Sequence, residues 1–334
     1  MSKWAYNKGL QEIGPGAYAY LQPDGSWGWN NAGLITDGDQ SLLVDTLFGL
    51  KLTGEMLATM ADAIPAAQNI NILVNTHNDA DHIFGNQLVK GAHILASKAA
   101  ADEFLNVTPE DYRKIFGNWQ ELGAGAHYIH ENCALTVEDA AGVVVTLPHE
   151  TFLKEKRLKV GDKDVILTAV GPAHSSGDVL VHSVQDRVVY TGDLLFNQSF
   201  PVLWEGSIEG WIAACDHILS LDVDVVMPGH GPIAEKSNIV EFRDFMVRFR
   251  AETRARFDAG LSIMDAALEI SELPDLPDWD LPERIIGAVN FLYRRYGSPE
   301  ATGNFLEIYG LFDRFLDKRA KRAAADHSAC GHSH

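Results

Sequence analysis

Apolar positions in the first 235 residues follow two different spacings, which predict a mixture of strands and helices. Short apolar runs typical of strands lie at 17–21, 32–36, 41–44, 70–74, 93–96 and 223–227, and a longer β-rich stretch covers 151–190. Apolar residues at helical spacing occupy 57–64, 97–123 and 208–219, whereas 123–150 matches neither spacing. Two β-rich halves with helices outside them predict an α/β fold, a four-layer αβ/βα sandwich whose strand ends meet at one edge.

From about residue 235 the apolar positions follow helical spacing only. Predicted helices cover 239–257, 261–271, 282–296 and 304–321, and two prolines near 275 interrupt them. We therefore expect one domain over 1–235, a C-terminal α-helical extension over 236–322 and a disordered tail over 323–334. The apolar stripes of the extension favour a lid and pocket wall or a homodimer contact. Simple packing on the sandwich is an equal alternative.

Composition narrows the choice of partners. The 334 residues include 27 basic and 46 acidic side chains, for a net charge of −19. This charge argues against nucleic acid and against an anionic membrane, since both require a basic face, and leaves a small-molecule substrate. The N-terminus lacks the apolar region of a secretory signal. Cys133, Cys215 and Cys330 are widely spaced, as expected for reduced thiols, so we expect a cytoplasmic protein.

The segment that follows the apolar run 70–74 is the main candidate for chemistry. It places His77, Asp79, Asp81 and His82 within six residues. Burying such groups together costs several kcal/mol unless their charges are paired. A divalent cation would offset that cost, so this turn predicts a metal site.

Three more candidate ligands occur later in the chain: His174, Asp193 and His230. Each ends or closely follows a predicted strand and lies near Gly or Pro, which end strands and allow close approach of the backbone. Seven candidate ligands on four loops are enough for two metal ions. His149 competes for the role of His174, but His174 follows the clearer strand.

This ordered series resembles the metallo-β-lactamase superfamily, whose first metal loop usually reads His-x-His-x-Asp-His. The resemblance covers about residues 14–235. It implies that His77, Asp79 and His174 bind the first ion, that Asp81, His82 and His230 bind the second, and that Asp193 bridges them. It further implies that Asp45 supports the metal loop from behind the ligands. Asp178, four residues after His174, either orients a ligand histidine or forms a turn.

Asp79 departs from the family pattern, which most often has His there. Zinc is the ion that the resemblance favours, but a carboxylate at this position shifts preference toward iron or manganese. A second alternative is that the short Asp79 side chain does not reach the ion, which leaves the first site weak or empty.

The resemblance implies a metal-dependent hydrolase of a small ester, thioester or lactone. Two cations about 3.5–4 Å apart can hold a hydroxide that attacks the substrate and can polarise the group attacked. Asp81 and Asp193 are the candidate catalytic residues among the ligands. A carboxylate-rich diiron oxidoreductase or oxygenase is the alternative, and a metal-poor sensor or scaffold is a third.

Aromatic residues near these motifs are candidates for an apolar substrate pocket. The set is Trp27, Trp29, Phe84, Phe196, Phe200 and Trp204.

Overall fold

The computed structural model describes residues 4–23, 28–106 and 108–330, with the side chains of 323 and 325–330 left aside. The chain forms two compact units. The first comprises Met1–Gly117, Cys133–Gln198 and Glu205–Asp244. The second comprises Asn118–Asn132, Ser199–Trp204 and Phe245–His334.

The first unit contains a seven-stranded sheet with its strands in chain order. The strands are β1 (Gly9–Gly14), β2 (Ala17–Leu21), β3 (Ala32–Asp37), β4 (Gln40–Val44), β5 (Ile72–Val74), β6 (His93–Ser97) and β7 (Glu150–Phe152). The first four are antiparallel neighbours, and β4 to β7 are parallel. Because parallel strands end at the same edge, the residues after β4 and after β5 lie side by side.

A second sheet of five strands faces the first, in the order β12-β11-β10-β9-β8. Its strands are β8 (Glu155–Val160), β9 (Lys163–Ala169), β10 (Val179–Ser183), β11 (Val188–Phe196) and β12 (Val225–His230). Strands β8 to β11 are antiparallel to their neighbours, whereas β12 runs parallel to β11. The ends of β11 and β12 therefore point in the same direction.

The two sheets enclose an apolar core that follows from the alternation of side chains along each strand. Leu42 and Val44 belong to the cluster that includes Val165 and Leu167 of the opposite sheet. Leu43, between them, belongs to a second cluster with residues of the first helix. Strand β4 is thus apolar on both faces, which requires helices outside the sandwich.

Helices cover the outer faces of the sheets. The first unit holds α1 (Gly49–Ala63), α2 (Ala80–Ile83), α3 (Lys98–Glu103), α4 (Pro109–Gly117) and α6 (Ile208–Ser220). Leu52, Met56 and Met60 of α1 are buried on one helical face. In α6, Trp211 is fully buried and donates its indole N–H to Leu194 O at 2.8 Å. The predicted α/β sandwich with a C-terminal helical extension is confirmed.

The second unit is helical and is built from three separate segments of the chain. Its helices are α5 (Ala124–Asn132), α8 (Ile263–Ser271), α9 (Arg284–Arg295) and α10 (Phe305–Cys330), with α7 (Lys236–Asp258) running from the first unit into it. A Cβ on Gly125 of α5 would come within 1.8 Å of Leu306 O, so glycine allows α5 to approach α10. The buried Tyr128 O–H donates to Glu283 Oε1 at 2.6 Å.

The elements differ from the sequence prediction in several places. Strand β1 and helix α5 were not predicted, because residues 9–14 and 124–132 have only weak periodicity, and α2 lies where a metal-binding turn was expected. The expected boundary at 235 falls just before α7, while the compact units divide within α7 at Asp244. The predicted tail 323–334 begins inside α10, and residues 331–334 lie outside the described residues. In the described part of the chain, no helix is both long and apolar enough to span a membrane.

Replacing Tyr128 by Phe should destabilise the second unit. The change removes the hydrogen bond to Glu283 and leaves a buried carboxylate without this donor, at a cost of about 1–3 kcal/mol. Urea unfolding would measure this loss. The exposed neighbour His127→Ala is the matched control and should change the free energy of unfolding by less than about 0.5 kcal/mol. Equal effects of the two changes would contradict the prediction.

Candidate metal centre

The seven candidate ligands all lie in the first unit, at the edge where strands of both sheets end. His77 and Asp79 follow β5, and the next two ligands are carried by α2. His174 lies between β9 and β10, and His230 is the last residue of β12. Asp193 was expected in a loop after a strand, but it lies within β11, beside a register shift at Gly192. The two sheets thus bring together seven ligands that are spread along the chain between His77 and His230.

The first ligand set consists of His77, Asp79, His174 and Asp193, whose candidate donor atoms lie within 4.8 Å of one another. Asp79 Oδ2 is 3.6 Å from His77 Nε2 and 3.3 Å from His174 Nε2. Asp193 Oδ2 is 3.9 Å from His77 Nε2 and 3.7 Å from His174 Nε2. The Asp79 carboxylate therefore reaches the other donors despite its short side chain.

The second ligand set consists of Asp81, His82 and His230, with Asp193 beside it. Asp81 Oδ2 is 3.5 Å from His230 Nε2 and 3.9 Å from His82 Nε2. Asp193 Oδ1 is 3.1 Å from His82 Nε2, and Asp193 Oδ2 is 3.2 Å from His230 Nε2. Asp193 lies between the two sets and offers an oxygen to each.

The arrangement of the donor atoms suits binding of a metal ion better than hydrogen bonding among the donors themselves. His77 Nε2, His82 Nε2 and Asp193 Oδ1 are buried and form no well-aligned hydrogen bond among the described residues, although His82 Nε2 and Asp193 Oδ1 lie 3.1 Å apart. Donors at about 2.1 Å from one ion can lie no more than about 4.2 Å apart, and the individual histidine–carboxylate distances given above, from 3.1 to 3.9 Å, are within that limit. Because buried polar atoms are rarely left without a partner, we interpret both sets as metal-binding.

Asp45 and Thr76 hold the ligand histidines from behind. Asp45 Oδ2 is 2.9 Å from His82 Nδ1, and its two oxygens accept the Thr76 N–H and O–H at 2.7 Å each. Thr76 Oγ1 in turn lies 3.0 Å from His77 Nδ1. With each Nδ1 engaged in this way, each Nε2 faces the centre. Asp45 has φ +61°, a left-handed conformation that is uncommon for residues other than glycine.

Asp178 shapes the loop that carries His174. Its buried carboxylate accepts the N–H of Ala173 and Ser175 at 3.0 Å each and the Ser175 O–H at 2.7 Å. These hydrogen bonds span the residues on both sides of His174 and fix the loop. His149 lies elsewhere, because its Nδ1 accepts the Ile94 N–H at 3.0 Å and it belongs to neither ligand set.

Two asparagines that sequence reasoning did not identify hold the His230 loop. Asn31 donates its side-chain amide to Pro228 O at 3.2 Å and to Gly231 O at 2.9 Å. Asn197 donates its backbone N–H to His230 O at 3.0 Å. A Cβ at Gly229 would come within 2.1 Å of Asp193 Oδ1, so glycine is needed there. About 200 residues separate Asn31 from its partners, and no sequence spacing signals such a contact.

The aromatic pocket candidates have diverse environments. Phe84 is buried against Phe48 and Tyr112, and the Phe196 ring stacks on the His230 ring with centroids 5.0 Å apart. Trp29 is half-buried beside the core cluster under α1, with the Lys8 ammonium 5.9 Å from its ring. Phe200 and Trp204 belong to the second unit, where they contact Trp279 and Phe305 respectively. Trp27 lies outside the described residues.

Electrostatics at the centre are dominated by burial and by pairing between imidazoles and carboxylates. Burial lowers the pKa of His82, but the charges of Asp193 and Asp81 outweigh it and raise the value well above the usual range. Burial also opposes protonation of His174, but its hydrogen bond to Asp79 and the charge of Asp193 raise its pKa to about 10. Burial raises the pKa of Asp81. A cation that binds here must therefore displace imidazole protons.

Comparisons with known proteins agree with the metal-binding arrangement of these residues. The family model described as the Metallo-beta-lactamase superfamily matches residues 26–230. Acyl-coenzyme A thioesterase MBLAC2 of Gallus gallus is 21% identical over 213 residues, which cover 60% of this chain and 72% of the thioesterase.

Solved structures show the same fold at low sequence identity. The stereoselective inverting sec-alkylsulfatase Pisa1 from Pseudomonas sp. is 18% identical with a TM-score of 0.64, over 87% of this chain and 50% of the sulfatase. The chain thus spans about half the length of that enzyme. A metallo-beta-lactamase family protein from Thermus thermophilus is 19% identical with a TM-score of 0.59, over 85% of this chain and 94% of that protein.

Metal-free protein should lose thermal stability as the pH rises from about 6.5 toward 10. The raised pKa of His174 means that its imidazolium stabilises the folded state fully below the unfolded value of 6.5, and that this contribution is lost as the pH passes through about 10. Melting temperatures of chelator-treated protein, followed by circular dichroism, would show the decline. His174→Ala should show a smaller decline, and an equal decline in both proteins would contradict this origin.

Replacing Asn31 by Ala should weaken metal binding at the second ligand set by about 10- to 100-fold, the usual effect of removing a group that orients a ligand. The change removes both amide hydrogen bonds that flank His230. Competition with a chelator would measure the affinity. Asn71→Ala, which loses a side-chain contact to Ser41 at the opposite end of β5, is the control and should leave the affinity unchanged. Unaltered affinity in Asn31→Ala would refute the role given to this residue.

Proposed function

Because this chain belongs to the metallo-β-lactamase superfamily, we propose that it is a metal-dependent hydrolase of a small ester, thioester or lactone. The observation that carries the proposal is the convergence of two ligand sets on one buried point, with Asp193 between them. When bound there, two divalent ions would supply an activated water molecule and would polarise the bond attacked.

The residues of the chain supply the rest of the proposed chemistry. Asp193 would help to hold both ions. Asp81 would help to hold the second ion with one carboxylate oxygen and would accept a hydrogen bond from the attacking water with the other. Asp45 and Asp178 would keep the histidines oriented throughout.

The charge of the centre supports a carbonyl substrate over a sulfate ester. Asp79, Asp81 and Asp193 would cancel three of the four positive charges of two divalent ions. The remaining positive charge attracts an anionic sulfate less strongly than a centre with two carboxylates would, whereas a neutral carbonyl is less affected. Acyl-coenzyme A thioesterase MBLAC2, which is 21% identical to this chain, acts on a thioester, and this supports the same substrate class.

A second function is favoured by Asp79. Its carboxylate lies 3.3 Å from His174 Nε2, so the first ligand set offers two carboxylates and two imidazoles, a combination that suits iron. A diiron oxidoreductase or oxygenase on the same fold is therefore the alternative. A chain that binds little metal would instead act as a sensor or scaffold.

The net charge and composition of the chain suggest its partners and its cellular location. A net charge of −19 supports a small-molecule substrate and argues against nucleic acid or an anionic membrane as partner. We propose a cytoplasmic location, and we propose that the helices from 236 to 322 form a homodimer contact.

Protein purified without chelators should hydrolyse activated esters, acyl thioesters or lactones faster than sulfate esters. Metal analysis and colorimetric assays on the same preparation would test this. Asp81→Asn should lower turnover at least about a hundredfold, because it removes the negative charge of a ligand and replaces the carboxylate oxygen that would accept a hydrogen bond from the attacking water. The exposed Asp39→Asn is the matched control and should retain full activity.

Other outcomes of this experiment separate the alternatives. Oxygen-dependent turnover by an iron-loaded preparation that hydrolyses none of the substrates would establish the redox enzyme. Absence of any turnover in protein that also carries little metal would favour the sensor or scaffold.

A further inference from the structure

The two ligand sets are chemically alike, and Asp79 makes them so. The first set offers the imidazoles of His77 and His174 and the carboxylates of Asp79 and Asp193. The second offers two imidazoles and the carboxylate of Asp81, and Asp193 again lies 3.1 Å from one of its imidazoles. Each ion would therefore meet two nitrogen and two oxygen donors. With an imidazole at 79, the first set would instead hold three nitrogens and one oxygen.

The backbone around Asp79 indicates that its carboxylate is committed to the ligand set. Asp79 is the N-cap residue of α2, where an aspartate normally accepts a hydrogen bond from the first turn of the helix. Its side chain makes no such bond. Asp79 Oδ2 is instead directed at His77 and His174, 3.6 and 3.3 Å from their Nε2 atoms. The Asp79 carboxylate thus makes no capping hydrogen bond to α2 and lies beside the other ligands instead.

The donor type affects which ion is held. Carboxylate oxygens suit manganese and other oxygen-preferring ions, whereas imidazole nitrogens suit zinc. Three carboxylates around two ions also leave less positive charge than two would, which favours ions that are held mainly by electrostatic attraction. His77 Nε2 and Asp193 Oδ1 are buried and form no well-aligned hydrogen bond among the described residues, so both sets have donors ready for an ion.

We propose that Asp79 makes the centre a pair of like sites for two oxygen-preferring ions, Mn(II) or Fe(II), rather than a site for two zinc ions. This rests on the proposed function, since both require the two ligand sets to bind metal. It adds the identity of the ions and the prediction that the two sites fill with similar affinity.

Titration of the metal-free full-length chain with Mn(II), followed by the EPR signal of the unbound ion, tests the proposal without any measurement of turnover. We expect the unaltered protein to bind two Mn(II) ions per chain with affinities within about tenfold of each other. Asp79→His should keep one of these sites and weaken the other at least about tenfold for Mn(II), while its affinity for Zn(II) rises.

Two further variants make the result specific. Asn78→His adds an imidazole beside the ligand position and should leave both Mn(II) affinities unchanged if Asp79 acts as a ligand. His77→Ala removes the first set, and should leave one Mn(II) site even if Asp79→His does not fold. Circular dichroism of each variant checks that the fold is retained.

Outcomes for the two proposals can be told apart. Two like Mn(II) sites without hydrolysis would preserve this inference and overturn the proposed hydrolase. Hydrolysis together with a ratio of Zn(II) to Mn(II) affinity that is the same in Asp79→His as in the unaltered protein would overturn the inference alone. Fewer than two Mn(II) ions per unaltered chain would also overturn it.

Discussion

Three carboxylates and four imidazoles meet at one buried point, and the first unit is organised around this concentration of charge. Unpaired charges in the interior cost several kcal/mol each, so every group must be held where it can meet its partners or an ion. Asp45 holds two of these groups in place by direct contact. Its carboxylate accepts both donors of Thr76 and contacts His82, at the cost of a left-handed backbone.

Support for the ligands comes from residues that are far away in the chain. Asn31 directly precedes β3 but holds the loop around His230, and Asp178 ties together the residues on both sides of His174. The contacts of Asn31 span the two sheets, so the sandwich itself is what keeps the ligand sets in register. A change that shifted one sheet against the other would separate Asp193 and His230 from the metal loop. Precision at the centre therefore depends on the apolar core between the sheets.

The second, helical unit is assembled from segments that are far apart in the chain. Its core joins α5 to α9 and α10, although about 150 residues separate Tyr128 from Glu283. Short segments at 118–132 and 199–204 leave the first unit to join this second one. A boundary at 235 describes where helical periodicity begins, but not which residues pack together. Glycine at 125 is needed because the α10 backbone passes too close for a side chain.

Local patterns were sufficient to predict the α/β sandwich, most of its strands and the helical extension, because alternation and helical spacing report directly on buried faces. The ordered histidines and aspartates likewise pointed to the metal-binding family, since ligands at strand ends need little tertiary context to be recognised. Other features were decided by tertiary structure alone: the hydrogen bonds of Asn31, the place of Asp193 within β11, and the approach of Asp79 to His174 at 3.3 Å. Each depends on distances between segments far apart in the chain, and such distances leave no periodic signal in the sequence.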